Sequence, residues 1–268
     1  MSGDDYDDDG GSDMTKMKIG ELKTILEECD LTQFNILRLN LKTDLRINIQ
    51  ALLAKKQRQF SKESKAQDEY NSRKIYENKL LRDNFNFIAG IDEVGRGPLA
   101  GPVYTAAVIM DLNNDVIGIR DSKKLSKEQR DYLSEEIKQK CVCYSIGIAS
   151  EEEIDSINIL NATKLAMKRA IEGLRIKPEY ILIDALKLED VDIPQISIIK
   201  GDDLSISIGA ASIIAKVARD KFMEDISLKY PGYYFEKNKG YGTVEHIESI
   251  RKYGPCSIHR KSFIKNFI

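Results

Sequence analysis

Histidine and paired cysteine are scarce in this chain of 268 residues. It has two histidines and four cysteines, and no two cysteines form a Cys-x-x-Cys pair. Structural zinc sites use clustered cysteine and histidine ligands, so the composition argues against one. Cysteines without such spacing are typical of free thiols in a reducing compartment, and we expect a cytoplasmic protein.

Long apolar runs and a secretory leader are also missing. None of the apolar runs, such as residues 103–110, 180–184 and 196–199, approaches the ~20 residues that a membrane-spanning helix requires. No N-terminal stretch passes from basic to apolar to small residues, so we expect no secretory signal. A membrane partner is therefore not expected.

The net charge of −2 hides an uneven distribution of charge. Residues 1–14 hold six aspartates and no basic residue, which predicts a disordered acidic tail. Removing those six from the 43 acidic residues leaves 37 acids against 41 bases. From Lys229 onward, eight basic residues face three acidic ones, and such a basic region suggests an anionic partner such as nucleic acid.

Glycine and proline are nearly absent from residues 15–85, which contain Gly20 alone and no proline. Apolar residues recur there at helical spacing, and from Lys55 the segment becomes strongly polar and charged. This pattern predicts a small helical appendage followed by a charged connector, ending at residue 85. A nucleic-acid grip and a spacer without a binding role both fit it. We expect removal of residues 1–85 to weaken binding only modestly.

From residue 86 onward, predicted strands come first and then alternate with helices. Apolar runs predict strands near residues 87–92, 103–110, 141–149, 180–184 and 196–200. Capping boxes that begin at Ser126 and Ser150 predict two helices, and alanines at helical spacing predict a third that ends at Pro231. This order indicates an α/β domain over residues 86–268, with a mixed central sheet flanked by helices and a basic helical C-terminal region.

Carboxylates follow three of the predicted strands: Asp92-Glu93, Asp184 and Asp202-Asp203. In α/β sheets, reactive groups gather where strands end. Converging carboxylates repel one another unless cations neutralise them, and oxygen ligands select hard ions such as Mg²⁺ or Mn²⁺. Two such ions can activate water and stabilise the leaving oxygen in phosphodiester hydrolysis. Each acid alone would also suit a cap or a turn, but their shared position favours a metal site.

Strand alternation limits which acids can act together. Consecutive residues on a regular strand point to opposite faces. Asp92 and Glu93 can therefore share a metal cluster only if the strand ends or bulges there, or if one of them contributes its backbone carbonyl. By the same rule, only one of Asp202 and Asp203 is expected to face the metals.

Two glycine-containing motifs accompany the acids. Gly95-Arg96-Gly97 follows the first pair directly, and its backbone N–H groups can form an anion nest around a phosphate. Residues 239–243, Lys-Gly-Tyr-Gly-Thr, place an aromatic ring between glycines, where it can stack on a sugar or a base. Taken alone, an ordinary turn and a loop with a packed tyrosine would have the same patterns.

Residues 90–102, Gly-Ile-Asp-Glu-Val-Gly-Arg-Gly-Pro-Leu-Ala-Gly-Pro, resemble the signature of the ribonuclease HII family, the type 2 ribonucleases H. The resemblance continues in unbroken order through residues 121–125, 159–163, 183–184, 200–202, 210–216, 239–241 and 260–263. It implies a ribonuclease H-like fold and Mg²⁺- or Mn²⁺-dependent cleavage of the RNA strand in RNA–DNA hybrids. It also implies incision on the 5′ side of single ribonucleotides in duplex DNA, with 3′-OH and 5′-phosphate products. We expect the enzyme to act as a monomer.

The resemblance also assigns roles to residues by their position in the motifs. The metal-binding carboxylates would be Asp92, Glu93, Asp184 and Asp202. The backbone of Gly95, Arg96 and Gly97 would recognise the 2′-OH and phosphate of the ribonucleotide, and Tyr241 would stack on the sugar of the neighbouring deoxynucleotide. Lys123 and Lys216 match positions near the substrate strand.

The sequence departs from the family pattern at three places. Ala185 follows Asp184 where many members have glycine, Asn238 stands where histidine is common, and Asp203 adds an acid beside Asp202. None of these departures replaces an expected ligand. A resolvase or integrase on the same fold would show the acids without the two glycine motifs, and a non-catalytic hybrid-binding protein would have a neutral residue at a ligand position.

Overall fold

The computed structural model of the chain describes residues 17–268, so the acidic tail expected over residues 1–14 lies outside the described residues. The chain forms two compact units that divide between Asp68 and Glu69. This division comes earlier than the boundary at residue 85 expected from composition. The physical reason is that Tyr70, Glu77 and Leu80 are buried among residues of the second unit. A cut at residue 85 would therefore remove part of that unit.

The first unit is helical, as its apolar spacing predicts. It contains α1 (Ile19–Glu28), α2 (Leu31–Asn40) and the first part of α3 (Ile47–Ser72). Asp30 begins α2 by accepting a hydrogen bond from the Gln33 N–H at 2.8 Å, which satisfies a backbone donor of the first turn. Among the residues of this unit that the structure describes, Leu22, Phe34, Leu41 and Ile49 have fully buried side chains.

The second unit contains a five-stranded mixed sheet, as expected. Its strands are β1 (Ile88–Val94), β2 (Val103–Ile109), β3 (Cys143–Ala149), β4 (Tyr180–Asp184) and β5 (Gln195–Ile198). The spatial order is β3-β2-β1-β4-β5. The pairs β1–β2 and β2–β3 are antiparallel, whereas β1–β4 and β4–β5 are parallel. The central strand β1 thus lies beside β4, and the ends of both strands carry predicted ligands.

Eight further helices complete the described part of this unit. They are α4 (Ile75–Arg82), α5 (Lys127–Lys140), α6 (Glu151–Glu172), α7 (Gly201–Leu204), α8 (Ile206–Ser227), α9 (Phe235–Asn238), α10 (Val244–Tyr253) and α11 (Lys261–Ile264). Both predicted capping boxes are present, at Ser126 and at Ser150. Helix α6 is interrupted at Asn158, whose φ is 66°, a break that its apolar spacing did not predict.

The sheet is covered by α8 on one face and by α6 on the other. Buried side chains of α8, such as that of Ile213, join one core cluster, and those of α6, such as that of Met167, join the other. Helix α8 approaches β1 so closely that a Cβ on Gly90 would lie 2.0 Å from the Ser207 carbonyl carbon. Only glycine fits there. Among residues 17–268, no helix is long and apolar enough to cross a membrane.

Candidate active site

The first two predicted ligands lie on a regular part of β1. β1 and β2 pair residue against residue from Ala89 to Val94, so no bulge aligns Asp92 with Glu93; the condition that is met is the other one, because β1 ends at Val94, directly after Glu93. Asp92 is buried. Burial and the nearby charge of Glu93 raise its pKa well above the usual range, while a hydrogen bond from Ser212 on α8 opposes this shift.

Glu93 remains within the electrostatic reach of the other acids. Burial raises its pKa and the Arg96 guanidinium, 3.3 Å from Oε1, lowers it, while the charge of Asp184 raises it further. The second oxygen, Oε2, is buried and has no hydrogen-bond partner. A buried carboxylate oxygen without a donor is unfavourable, and a cation bound there would relieve that cost.

Asp184 ends β4 beside β1 and is held by the backbone of α7. Its Oδ1 atom accepts a hydrogen bond from the Gly201 N–H at 2.8 Å. The next residue, Ala185, has a φ of 52°, a left-handed conformation that glycine adopts with less strain. The departure from glycine noted above therefore falls at the point where the chain leaves the strand.

Asp202 lies in a helical turn and not at the end of a strand as expected. Because α7 begins at Gly201, strand alternation cannot decide between Asp202 and Asp203. The structure distinguishes them by their surroundings. Burial and the charges of Asp121 and Asp184 raise the pKa of Asp202 to about 6. Asp203 instead pairs with Lys124 at 2.5 Å, and despite burial this contact lowers its pKa.

The two predicted substrate lysines differ in position. Lys123 lies in a 3₁₀ turn, Ser122–Lys124, among the acids. Partial burial lowers its pKa, but the charges of Asp121, Asp202, Asp92 and Asp184 outweigh this effect and raise it. Lys216 instead pairs with Asp220 on the next turn of α8, with 2.8 Å between Nζ and Oδ1.

Two buried arginines shape the loop that contains Gly95-Arg96-Gly97. Arg260 has no exposed surface and donates to the carbonyls of Gly95 at 2.5 Å, Arg96 at 2.9 Å and Gly101 at 2.8 Å. The loop is therefore fixed by a guanidinium that lies beneath it. Such a planar donor with five N–H groups can bind several carbonyls at once.

Arg219 on α8 supports the other end of the same loop. It donates to the carbonyls of Ala100 and Pro102, each at 3.1 Å, and to that of Lys239 at 2.9 Å. Gly95 has a φ of 92°, and a Cβ there would lie 2.2 Å from Arg219 Nε. Both the backbone conformation and the space therefore require glycine at residue 95.

Arg219 is not predicted by any motif of the sequence, and Arg260 appears there only within a matching segment. One signal was available for Arg219. It lies on the buried stripe of α8, four residues after Ala215 and four before Met223. A lone basic residue on an apolar stripe is expected to have buried partners.

Tyr241 borders the loop of Gly95-Arg96-Gly97, hereafter the glycine loop, and is 43% exposed. A Cβ built on Gly97 would lie 3.8 Å from its Cε1 atom. The preceding Gly240 has a φ of 85°, and its carbonyl accepts the Leu99 N–H at 2.8 Å. The structure thus brings the ring next to Gly97, as a shared substrate site requires.

His259 and His246 form a hydrogen-bond chain that ends at the backbone carbonyl of Tyr241. Within it, the contacts fix one arrangement of protons. Cys256 N–H donates to His259 Nδ1 at 2.9 Å, so the Nε2–H of His259 donates to His246 Nε2 at 3.0 Å. The Nδ1–H of His246 then donates to the Tyr241 carbonyl at 2.8 Å. Both rings are buried and neutral in this arrangement.

Because of this histidine pair, we expect the free energy of unfolding to decrease in acid. Burial and the neighbouring His246 lower the pKa of His259 to about 4, whereas an unfolded histidine titrates near 6.5. The unfolded chain therefore binds protons first as the pH falls below 6.5, and the free energy of unfolding decreases. From pH 7 to pH 5 we expect His259 alone to contribute a decrease of about 2 kcal/mol. Urea unfolding at both pH values should show a smaller decrease in His259→Gln, and an equal decrease would contradict this assignment.

The donor set fits a hard divalent cation. The four predicted ligands offer only oxygen, Oε2 of Glu93 lacks a partner, and burial and mutual repulsion raise the pKa of Asp92 and Asp202. Within residues 17–268, no three His, Cys, Asp or Glu side chains already surround a single point. The fit therefore rests on the chemistry of the donors.

Comparisons with known proteins cover both units. A family model for Ribonuclease HII matches residues 89–266, and a model for the Ribonuclease HII N-terminal domain matches residues 18–81. Ribonuclease HII of Staphylococcus saprophyticus is 52% identical over 221 residues, which are 82% of this chain and 86% of that protein. Ribonuclease HII of Acetivibrio thermocellus is 46% identical over 255 residues, which are 95% of this chain and 100% of that protein.

Solved structures with the same fold match about two thirds of the chain. Ribonuclease H2 of Pyrococcus horikoshii has 30% identity and a TM-score of 0.56, and the match covers 67% of this chain and 96% of that one. Ribonuclease HII of Archaeoglobus fulgidus, solved in a complex with PCNA, has 28% identity, a TM-score of 0.58 and the same coverage. Sequence and fold thus agree over the strands that carry the acids, and the chain belongs to the ribonuclease HII family of metal-dependent nucleases.

Proposed function

We propose that this enzyme hydrolyses the RNA strand of RNA–DNA hybrids and incises duplex DNA on the 5′ side of a single embedded ribonucleotide. The observation that carries the proposal is the position of the Gly95-Arg96-Gly97 loop. On one side Arg96 reaches Glu93 at 3.3 Å, and on the other Gly97 borders the exposed ring of Tyr241. This position between the acids and an exposed aromatic ring supports a role for the loop in reading a ribose.

The acids would hold two divalent ions, Mg²⁺ or Mn²⁺, through Asp92, Glu93, Asp184 and Asp202. When bound, the ions supply an activated water and neutralise the charge on the leaving oxygen. The chain orients two of these acids itself, through Ser212 at Asp92 and the Gly201 N–H at Asp184. Lys123 adds positive charge for the scissile phosphate, whereas Lys216 would first have to leave Asp220, so its role stays a prediction.

The backbone of the glycine loop would distinguish RNA from DNA. A trans peptide group points its N–H and its carbonyl in opposite directions. Since Arg260 binds the carbonyls of Gly95 and Arg96, the N–H groups of Arg96 and Gly97 point away from the buried guanidinium. These donors would bind the 2′-OH and the phosphate of the ribonucleotide. The Arg96 side chain would then contribute little to discrimination, whereas a bulky residue at Gly97 would block the approach.

Tyr241→Ala tests the stacking platform. An aromatic ring that stacks on the deoxyribose 3′ of the ribonucleotide contributes ~1–3 kcal/mol, so the variant should lose about that much transition-state binding on a single-ribonucleotide duplex. The loss should be smaller on an all-RNA hybrid, because the 2′-OH of the next nucleotide already crowds the ring. Relative cleavage rates on the two substrates measure the difference. Equal losses with an unchanged cut position would make Tyr241 a packing residue only.

The substrate preference is tested with four matched duplexes: all-DNA, DNA with one ribonucleotide, RNA–DNA hybrid and all-RNA. We expect cleavage of the second and third in Mg²⁺ or Mn²⁺, and none of the first. Cleavage of all-DNA would favour a resolvase-like or integrase-like activity, and binding without cleavage would favour a hybrid-binding protein. The active unit would be one chain, acting in the cytoplasm, where its four free thiols are stable.

A further inference from the structure

Residues 69–82 come before the part of the chain that matches the catalytic family model. They nevertheless contact two segments of the candidate active site, the α7 turn and the loop before Lys123. The catalytic family match begins at residue 89. Two residues of the segment make these contacts. Arg73 donates a hydrogen bond to a backbone carbonyl of α7, and Glu77 accepts one from a side chain at the start of α8. Because both belong to the second compact unit, these contacts are internal to that unit.

The Arg73 guanidinium connects the α7 turn to the loop before Lys123. Its Nε donates to the Asp203 carbonyl at 3.0 Å, and its Nη1 donates to the Ile119 carbonyl at 2.9 Å. Its own carbonyl accepts the Ile206 N–H at 3.3 Å. The first contact lies one residue after Asp202, and the second lies four residues before Lys123. One guanidinium therefore fixes the distance between the turn that carries Asp202 and the loop that leads to Lys123.

Glu77 fixes the junction between α7 and α8. It is fully buried, and its Oε1 accepts hydrogen bonds from Ser205 Oγ at 2.5 Å and from the Ser207 N–H at 3.0 Å. Ser205 is also the N-cap of α8, because its Oγ accepts the Ile208 N–H at 3.2 Å. Burial raises the pKa of Glu77, and the hydrogen bonds from Ser205 and Ser207 at the N-terminus of this 22-residue helix oppose that shift.

The segments around Asp202 are packed closely, so the Arg73 and Glu77 contacts affect its position. A Cβ on Gly209, in the first turns of α8, would lie 3.0 Å from the Asp202 carbonyl oxygen and 2.8 Å from Ile119 Cγ2. The turn that carries Asp202, the loop before Lys123 and the start of α8 are therefore packed against one another. A displacement at either Arg73 contact would move Asp202 or Lys123.

We propose that Arg73 and Glu77 are positioning residues for Asp202 and Lys123, so that the active site extends into the N-terminal segment. The proposal rests on the proposed function, in which Asp202 is a metal ligand. In this role neither residue would touch the substrate or the metals. They act by holding the α7 turn and the loop before Lys123 in register, as outer partners of metal ligands do in other sites.

The test uses the full-length chain with Arg73→Met, Arg73→Lys and Glu77→Gln. Lys74→Met is the matched control, because Lys74 is the next residue and makes comparable contacts, to the Leu112 carbonyl at 3.1 Å and to Asp115 at 2.5 Å, away from the site. Mn²⁺ affinity is measured without substrate by electron paramagnetic resonance, and kcat, KM and the Mg²⁺ dependence of the rate are measured on a single-ribonucleotide duplex. Thermal unfolding of each variant records stability.

We expect Arg73→Met to weaken Mn²⁺ binding and to lower kcat, each by ~10-fold, with KM for the duplex changed by less than about twofold. Arg73→Lys should recover part of the loss because an ammonium can reach one carbonyl, and Glu77→Gln should behave like Arg73→Met in a milder form. Lys74→Met should lose stability but retain wild-type metal affinity.

Equal metal affinity and kcat in Arg73→Met and Lys74→Met would overturn the proposal. If the wild-type chain cut none of the ribonucleotide duplexes while Arg73→Met still bound Mn²⁺ more weakly than Lys74→Met, the positioning role would stand and the proposed function would fail.

Discussion

Asp184→Asn should abolish cleavage while leaving substrate binding largely intact. Asparagine keeps the oxygen that accepts the Gly201 N–H at 2.8 Å, so the end of β4 and the start of α7 should keep their positions. What the variant loses is the negative charge that would hold the ions. Since metal assistance provides several kcal/mol of transition-state stabilisation, we expect the rate to fall by at least ~100-fold.

Single-turnover cleavage and duplex binding in Ca²⁺ separate the two effects. The matched control is Asp190→Asn, which removes the same charge from an exposed position on the loop after β4. That variant should behave as wild type. A rate for Asp184→Asn above a tenth of wild type would remove Asp184 from the metal site.

Asp202→Asn should be far more damaging than Asp203→Asn. Asp202 is buried among Asp121 and Asp184, with a pKa raised to about 6, so its charge is costly unless a cation binds there. Asp203 already has a cation in Lys124, in a partly exposed pair of the kind that contributes only modestly to stability. We expect a loss of ~100-fold for the first variant and less than about threefold for the second.

Because the two variants differ by one position in the same turn, each is the control for the other. Their cleavage rates should be compared at saturating and at limiting Mg²⁺. Only Asp202→Asn should shift the Mg²⁺ concentration for half-maximal rate upward. Equal losses would mean that α7 does not distinguish the two carboxylates, and Asp202 would lose its assigned role.

Local sequence signals predicted the sheet and two of its helices well. The apolar runs at β1, β2 and β4 and the capping boxes at Ser126 and Ser150 depend on neighbouring residues, and the structure confirms them. The position of Asp202 was misread, because a four-residue helix such as α7 gives no periodic signal. Asp202 differs from Asp203 by its burial and by the contact that Asp203 makes with Lys124, and strand alternation does not distinguish them.

Features that depend on distant contacts were not visible in the sequence. Arg260 binds carbonyls more than 150 positions away, and Glu77 meets Ser205 across 128 positions. Composition alone made residues 69–85 look like a connector, since their charged residues resemble a solvated face. Their buried contacts place them in the second unit, so a cut at residue 68 keeps that unit whole, whereas the effect of removing residues 1–85 stays a prediction.

The central claim is that this site hydrolyses a phosphodiester beside a ribose with water as the nucleophile. The most direct measurement is end mapping of the products from a duplex with one ribonucleotide, labelled at either end of the cut strand. We predict one incision on the 5′ side of the ribonucleotide, with a 3′-OH on the upstream fragment and a 5′-phosphate on the downstream fragment. A 2′,3′-cyclic phosphate, or a cut on the 3′ side, would contradict the account, because the 2′-OH and not water would then be the attacking group or the loop would read a different nucleotide.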